Sequence, residues 1–151
     1  MGQGQATTRG GRTADNPVEP QYVGERCQVD GVWKVTESQA CLGWYNFHTD
    51  NNDKLMGTCN LQRGLLPLKT EVETLIWAMQ CMLRHNKLTM KFETDCSNVV
   101  QMVSAPEDWL AFTLLLEEVN RCRRLFSSFS FVQIPRKENT KAKLYLLMCI
   151  M

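Results

Sequence analysis

Two acidic residues stand where acids are costly. Asp30 interrupts the run CQVDGVWK, and Asp95 follows the apolar-alternating run LTMKFE in FETDCSN. A carboxylate near the middle or end of a buried strand needs a partner. A third acid, Glu71, falls in the amphipathic run LKTEVETLIWAM. Each has an ordinary explanation: Asp30 as a turn residue before Gly31, Asp95 as a helix cap, and Glu71 as a solvated residue near a helix start. Neither histidine stands out as a catalytic candidate. His48 sits in the dense turn signal HTDNND and His85 at a helix end.

The elements that carry these acids follow from periodicity. Residues 27–34 alternate with period two and read as a strand, 40–47 as an aromatic-rich second strand, and 54–61 as a third. Three short runs joined by turn-like links predict an antiparallel meander. Leu68, Val72, Leu75, Ile76, Met79, Met82 and Leu83 then follow one helical face. Pro67 suits the start of that helix and Asn86 its stop. Residues 88–93 return to alternation, and 97–103 predict a short helix before the break SAPED. Residues 109–125 predict a second long amphipathic helix, with Leu110, Thr113, Leu114, Glu117 and Arg121 on successive turns. Residues 128–134 predict a last strand closed by Pro135, and Asn139 can cap a final helix. The order β-β-β-α-β-α-α-β-α describes an α/β fold with a mixed sheet.

The 151 residues fit one domain. Residues 1–24, rich in glycine and poor in large apolar groups, read as a disordered leader, and 25–151 as the domain. Seven cysteines, with no CxxC pair, argue against a zinc site and fit free thiols in an intracellular protein. No run approaches the ~18 apolar residues of a membrane helix. Nucleus and cytoplasm are equally compatible, and no protein partner can be inferred. The net charge of +1 is unevenly spread: residues 66–120 hold four basic and eight acidic side chains, residues 121–151 seven basic and one acidic. A basic end of that kind is either a solvated face or a surface for a polyanion.

In CQVDGVW, PLKTEVETLIWAM, FETDCSNVVQMV and VQIPRKENTKAK, taken in that order over about 110 residues, the chain resembles the ribonuclease H-like family, in particular the reverse-transcriptase-associated domains of plant retroelements. The resemblance implies a five-stranded mixed sheet, antiparallel then parallel, with helices on both faces. It implies that Asp30, Glu71 and Asp95 bind magnesium, or manganese in its place, to hydrolyse RNA in an RNA–DNA hybrid. Ser97, Asn98, Arg136 and Lys137 become candidates for contacts to the nucleic-acid backbone, with ordinary surface polarity as the alternative for each. The family's closing motif, Asn-x-x-Ala-Asp, reads here Asn139-Thr140-Lys141-Ala142-Lys143, so lysine replaces the fourth acid. The apolar run LYLLMCIM that follows suggests a truncated or altered final helix. A weakened ribonuclease is therefore expected, with a non-catalytic binding module or a degenerate retroelement remnant as alternatives.

Overall fold

The structure, a computed structural model, describes residues 24–34, 39–51, 53–62 and 67–139. The expected leader and the expected final helix, with Lys143, lie outside the described residues apart from Gly24. Five strands form one sheet: β1 (Glu25–Lys34), β2 (Gln39–His48), β3 (Lys54–Gln62), β4 (Thr89–Thr94) and β5 (Ser128–Gln133). Their spatial order is β3-β2-β1-β4-β5. The β1–β2 and β2–β3 pairs are antiparallel, whereas β1–β4 and β4–β5 are parallel. This is the mixed sheet expected from a meander followed by alternating units. Helices α1 (Pro67–Arg84), α2 (Ser97–Ser104) and α3 (Thr113–Arg123) provide the crossovers that parallel neighbours require.

Strand alternation divides the sheet into two unlike faces. Cys27, Val29, Trp44, Met90 and Phe92 lie against Val72, Leu75, Met79 and Met82 of α1 in one buried cluster. Each large side chain fully buried there contributes about 1.5–3 kcal/mol. Val99 and Met102 of α2 and Leu116, Val119 and Cys122 of α3 extend the same core. The described helices therefore share one face, and the helix expected on the other belongs to the undescribed residues. On that other face the buried side chains of the two central strands are polar: Gln28, Asp30 and Glu93.

Helix α1 ends at the residue its sequence suggested. Asn86 has φ 57°, the left-handed geometry that stops a helix, and the Lys87 amide donates to the Met82 carbonyl at 2.9 Å. The second long helix is a correction. Residues 106–108 and 110–112 form 3₁₀ turns, and α3 covers only Thr113–Arg123. Leu110, Thr113, Leu114, Glu117 and Arg121 line its solvent side, while the core row is Leu116, Val119 and Cys122. The row that faces inward is chosen by contact with α1, which local periodicity cannot report. Among the described residues no helix is long and apolar enough to cross a membrane.

Candidate functional site

Asp30 lies in the middle of β1, so it is not a turn residue, and it is buried. Its strand continues across the sheet to β4, where the parallel register pairs Cys27 with Phe92 and Gln28 with Glu93. Asp30 and Asp95 each lie two residues beyond that last pair. Asp30 is on β1, on the face opposite α1, and Asp95 follows the last residue of β4. The helix-cap alternative for Asp95 fails, because Cys96 holds the N-cap position of α2 and no side chain caps there. The Asp95 side chain is only 6% exposed, and the Arg136 guanidinium stands 3.7 Å from its Oδ2.

Glu71 approaches from the first turns of α1. Its Oε1 accepts the Gly31 amide at 3.0 Å, which ties the helix to the residue next to Asp30. Position 31 has little room for anything larger than glycine. A Cβ there would stand 3.0 Å from Thr74 Oγ1, 3.1 Å from Thr70 Cγ2 and 3.2 Å from Glu71 Oε1. The Thr74 hydroxyl is itself committed, donating to the Thr70 carbonyl at 2.8 Å. Glu71 is thus half-buried and bonded rather than simply solvated.

Cys96 lies between these acids. Burial pushes its thiol up, the amides of Val99 and Asn98 oppose this, and the Glu71 and Asp95 carboxylates add to the rise. Ser97 and Asn98, at the start of α2, are exposed beside Asp95. Arg136 and Lys137 are also exposed, on a 3₁₀ turn after β5 (Arg136–Glu138). That turn is fastened to β1 by two hydrogen bonds. Gln28 Nε2 donates to the Glu138 carbonyl at 3.2 Å, and Asn139 Nδ2 to the Val29 carbonyl at 3.0 Å. Asn139, the first residue of the closing motif, is therefore held beside Asp30, and the motif's lysine lies outside the described residues. Both histidines stay outside the site: His48 Nδ1 accepts the Asp50 amide at 3.0 Å, and His85 Nδ1 lies 2.8 Å from the Cys81 carbonyl.

Glu93 is the residue that sequence reasoning missed. It is buried and holds Arg26 through both carboxylate oxygens, at 2.9 and 3.0 Å, while Gln28 Nε2 donates to it at 3.3 Å. Two signals existed: an acid at the end of the alternating run LTMKFE and a basic residue at the start of β1. Nothing local pairs residues 67 positions apart.

Carboxylate oxygens suit magnesium. Among the described residues, however, no group of three or more His, Cys, Asp or Glu side chains converges to hold an ion. Asp30 and Asp95 are the carboxylates that could hold such an ion, with water and substrate phosphate completing its shell, as is usual for magnesium.

This sheet order and crossover pattern define a ribonuclease H-like fold. The structure superposes on RNase H1 of the halophilic archaeon Halobacterium salinarum NRC-1 with a TM-score of 0.72 and 16% identity, over 80% of this chain and 92% of that one. LC11-RNase H1, isolated from compost by a metagenomic approach, gives 0.71 and 15%, over 86% and 100%. The same enzyme in complex with an RNA/DNA hybrid gives 0.60 and 16%, over 80% and 91%. At these identities the likeness establishes the fold. No curated protein sequence matches the chain. The chain belongs to the reverse transcriptase-like family, whose model matches residues 28–148, past Lys143 and into the apolar run.

Proposed function

We propose that this domain binds RNA–DNA hybrid and hydrolyses its RNA strand slowly, with magnesium held at Asp30 and Asp95. The observation that carries this reading is a juxtaposition in the middle of the sheet: Asp30 on β1 and Asp95 just past the end of β4, each two residues beyond the Gln28–Glu93 pair, with Glu71 bonded to the amide of Gly31. Similarity to an RNase H1 solved with a hybrid supports the substrate class. Bound magnesium supplies the Lewis acidity that activates water and stabilises the leaving oxygen. Glu71 fixes α1 against β1 and so sets the position of Asp30. Ser97 and Asn98 follow Asp95 in the chain, Arg136 stands 3.7 Å from it and Lys137 follows Arg136; all four are exposed. They suit contacts to phosphates and 2′-hydroxyls, by which hybrids are read for shape.

Lys143 explains why turnover is slow. An ammonium about 5 Å from a metal-binding carboxylate, at an effective dielectric near 20, opposes cation binding by roughly 3 kcal/mol. The test compares the wild-type chain with Lys143→Asp on a labelled hybrid in magnesium. We expect cleavage to rise by about a hundredfold in the variant, and Asp95→Asn to abolish it in both backgrounds. Equal rates in wild type and Lys143→Asp would remove position 143 from the account. If neither protein cleaves yet both bind hybrid with steep salt dependence, the domain is a binding module instead.

A further inference from the structure

We infer that the groove between α1 and α3 is a docking site for a segment of another protein, one that carries large apolar side chains flanked by lysine or arginine. This goes beyond the proposed hydrolysis and does not depend on it.

The groove has an apolar floor and an acidic rim. Leu42 of β2, Ile76 and Trp77 of α1 and Leu115 of α3 line a cleft of about 430 Å³, with Glu73, Gln80 and Glu118 at its edges. That volume lies within the ~300–1,000 Å³ of ordinary ligand clefts. Its walls are well braced. Ile76 is buried, the Trp77 ring meets Trp44 edge-on with centroids 6.0 Å apart, and Gln80 Nε2 donates to Glu118 at 3.4 Å across the two helices. Apolar surface continues onto the outer side of α3. Leu114, the neighbour of Leu115, is 81% exposed, and Leu110, four residues earlier, is 78% exposed. Single exposed leucines are ordinary, but two of them next to an apolar cleft make the kind of patch that marks an interaction site.

Charge decides which partner fits. No residue lining the cleft is basic, and the half-buried Glu73 carboxylate has no hydrogen bond or ion pair among the described residues. Glu118 is held by Arg121, so Glu73 is the carboxylate that an incoming cation meets first. Exposed Glu107, Asp108 and Glu117 add negative charge before and along α3. A nucleic-acid backbone is repelled by such a surface. An apolar anchor with a lysine or arginine beside it meets both the floor and the rim. The cleft lies on the helix side of the sheet and Asp30 on the opposite face, so a docked segment leaves the acids open to nucleic acid.

The experiment pans a phage library of short random peptides on the full chain and counter-selects on a Glu73→Lys/Leu114→Ser variant. Leu114 is exposed and Glu73 has no partner to lose, so the variant should fold, which urea unfolding checks. Peptides enriched on wild type should combine leucine, phenylalanine or tryptophan with lysine or arginine. A labelled representative, followed by fluorescence anisotropy, should bind about three- to tenfold more weakly to Glu73→Lys and to Leu114→Ser, each tested alone. It should bind Arg136→Ala, altered on the turn after β5, as tightly as wild type. No enrichment, enrichment of acidic peptides, or equal affinity for Glu73→Lys and wild type overturns the assignment. A wild-type chain that sediments as a dimer and becomes monomeric in Leu114→Ser also overturns it, because the occupant is then a second copy. Hybrid cleavage should be unchanged in both single variants, so failure of the docking site leaves the proposed function standing.

Discussion

Glu93 and Asp95 lie two residues apart, on either side of the end of β4, and each faces an arginine. The pairs differ in every respect that sets their strength. Arg26 grips Glu93 through two bonds, with the carboxylate 2% exposed and a third donor, Gln28, on the same oxygen system. Arg136 stands off Asp95 at 3.7 Å and is almost wholly in solvent. A bidentate buried pair is a fastening, because removing one partner strands the other's charge. A long contact to an exposed arginine is a weak one. The two acids are separated here by how their arginines are held.

The largest effect should come from the fastening. Glu93→Ala should cost about 2–4 kcal/mol in urea unfolding, somewhat below the usual figure for a broken buried pair because Arg26 is partly exposed. Arg136→Ala, measured in the same way, should change stability by less than about 1 kcal/mol. Similar losses at the two positions would erase the distinction. Gly31→Ala comes next. The added methyl meets committed Thr74 and the Glu71 carboxylate, so about 1–3 kcal/mol should be lost to overpacking. Hybrid cleavage should fall by more than that stability loss explains, since Glu71 must shift. A variant as active and stable as wild type would show that the Glu71–Gly31 contact does not set the site.

The smallest effect belongs to a third pair, on the surface of α3. A hydrogen bond from Arg121 holds Glu118 down to about 2 from its ordinary 4.5, despite some opposing desolvation. Because the folded value is depressed, its contribution is present above about pH 4.5 and is lost as pH falls towards 2. A carboxyl titration by nuclear magnetic resonance should show that low midpoint, and Arg121→Ala should return it to the ordinary range. Overall stability should barely respond, because the pair is exposed. A large loss of stability in Arg121→Ala would mean that exposure does not predict the weakness of such pairs, Arg136 included.

Much of this was legible in the chain. The spans of all five strands and of α1 and α2 followed from alternation and from the helical row beginning at Leu68, with differences of a residue or two at their ends. Asp30, Glu71 and Asp95 stood out because acids in apolar strands and an acid in a resembling helix motif are unusual. Glu93 did not, since its importance lies in Arg26 and Gln28, brought to it only by parallel pairing of β1 with β4. The outward row of α3 was likewise hidden. Leu110 and Leu114 carry the periodicity of a buried face, yet both are exposed, because α1 meets the row at Leu116 and Val119.

What the sequence by itself determined is the order of elements, the identity of the three acids and the lysine at position 143. Those depend on residue type and local period, which act over a few neighbouring positions. Only the tertiary structure decided which acids are fastened and which are loosely met. That depends on strand register and on the turn tied to β1, and so on contacts between residues some 40 to 110 positions apart. The carboxylate of each motif says what chemistry is available; register and burial say which contacts hold it.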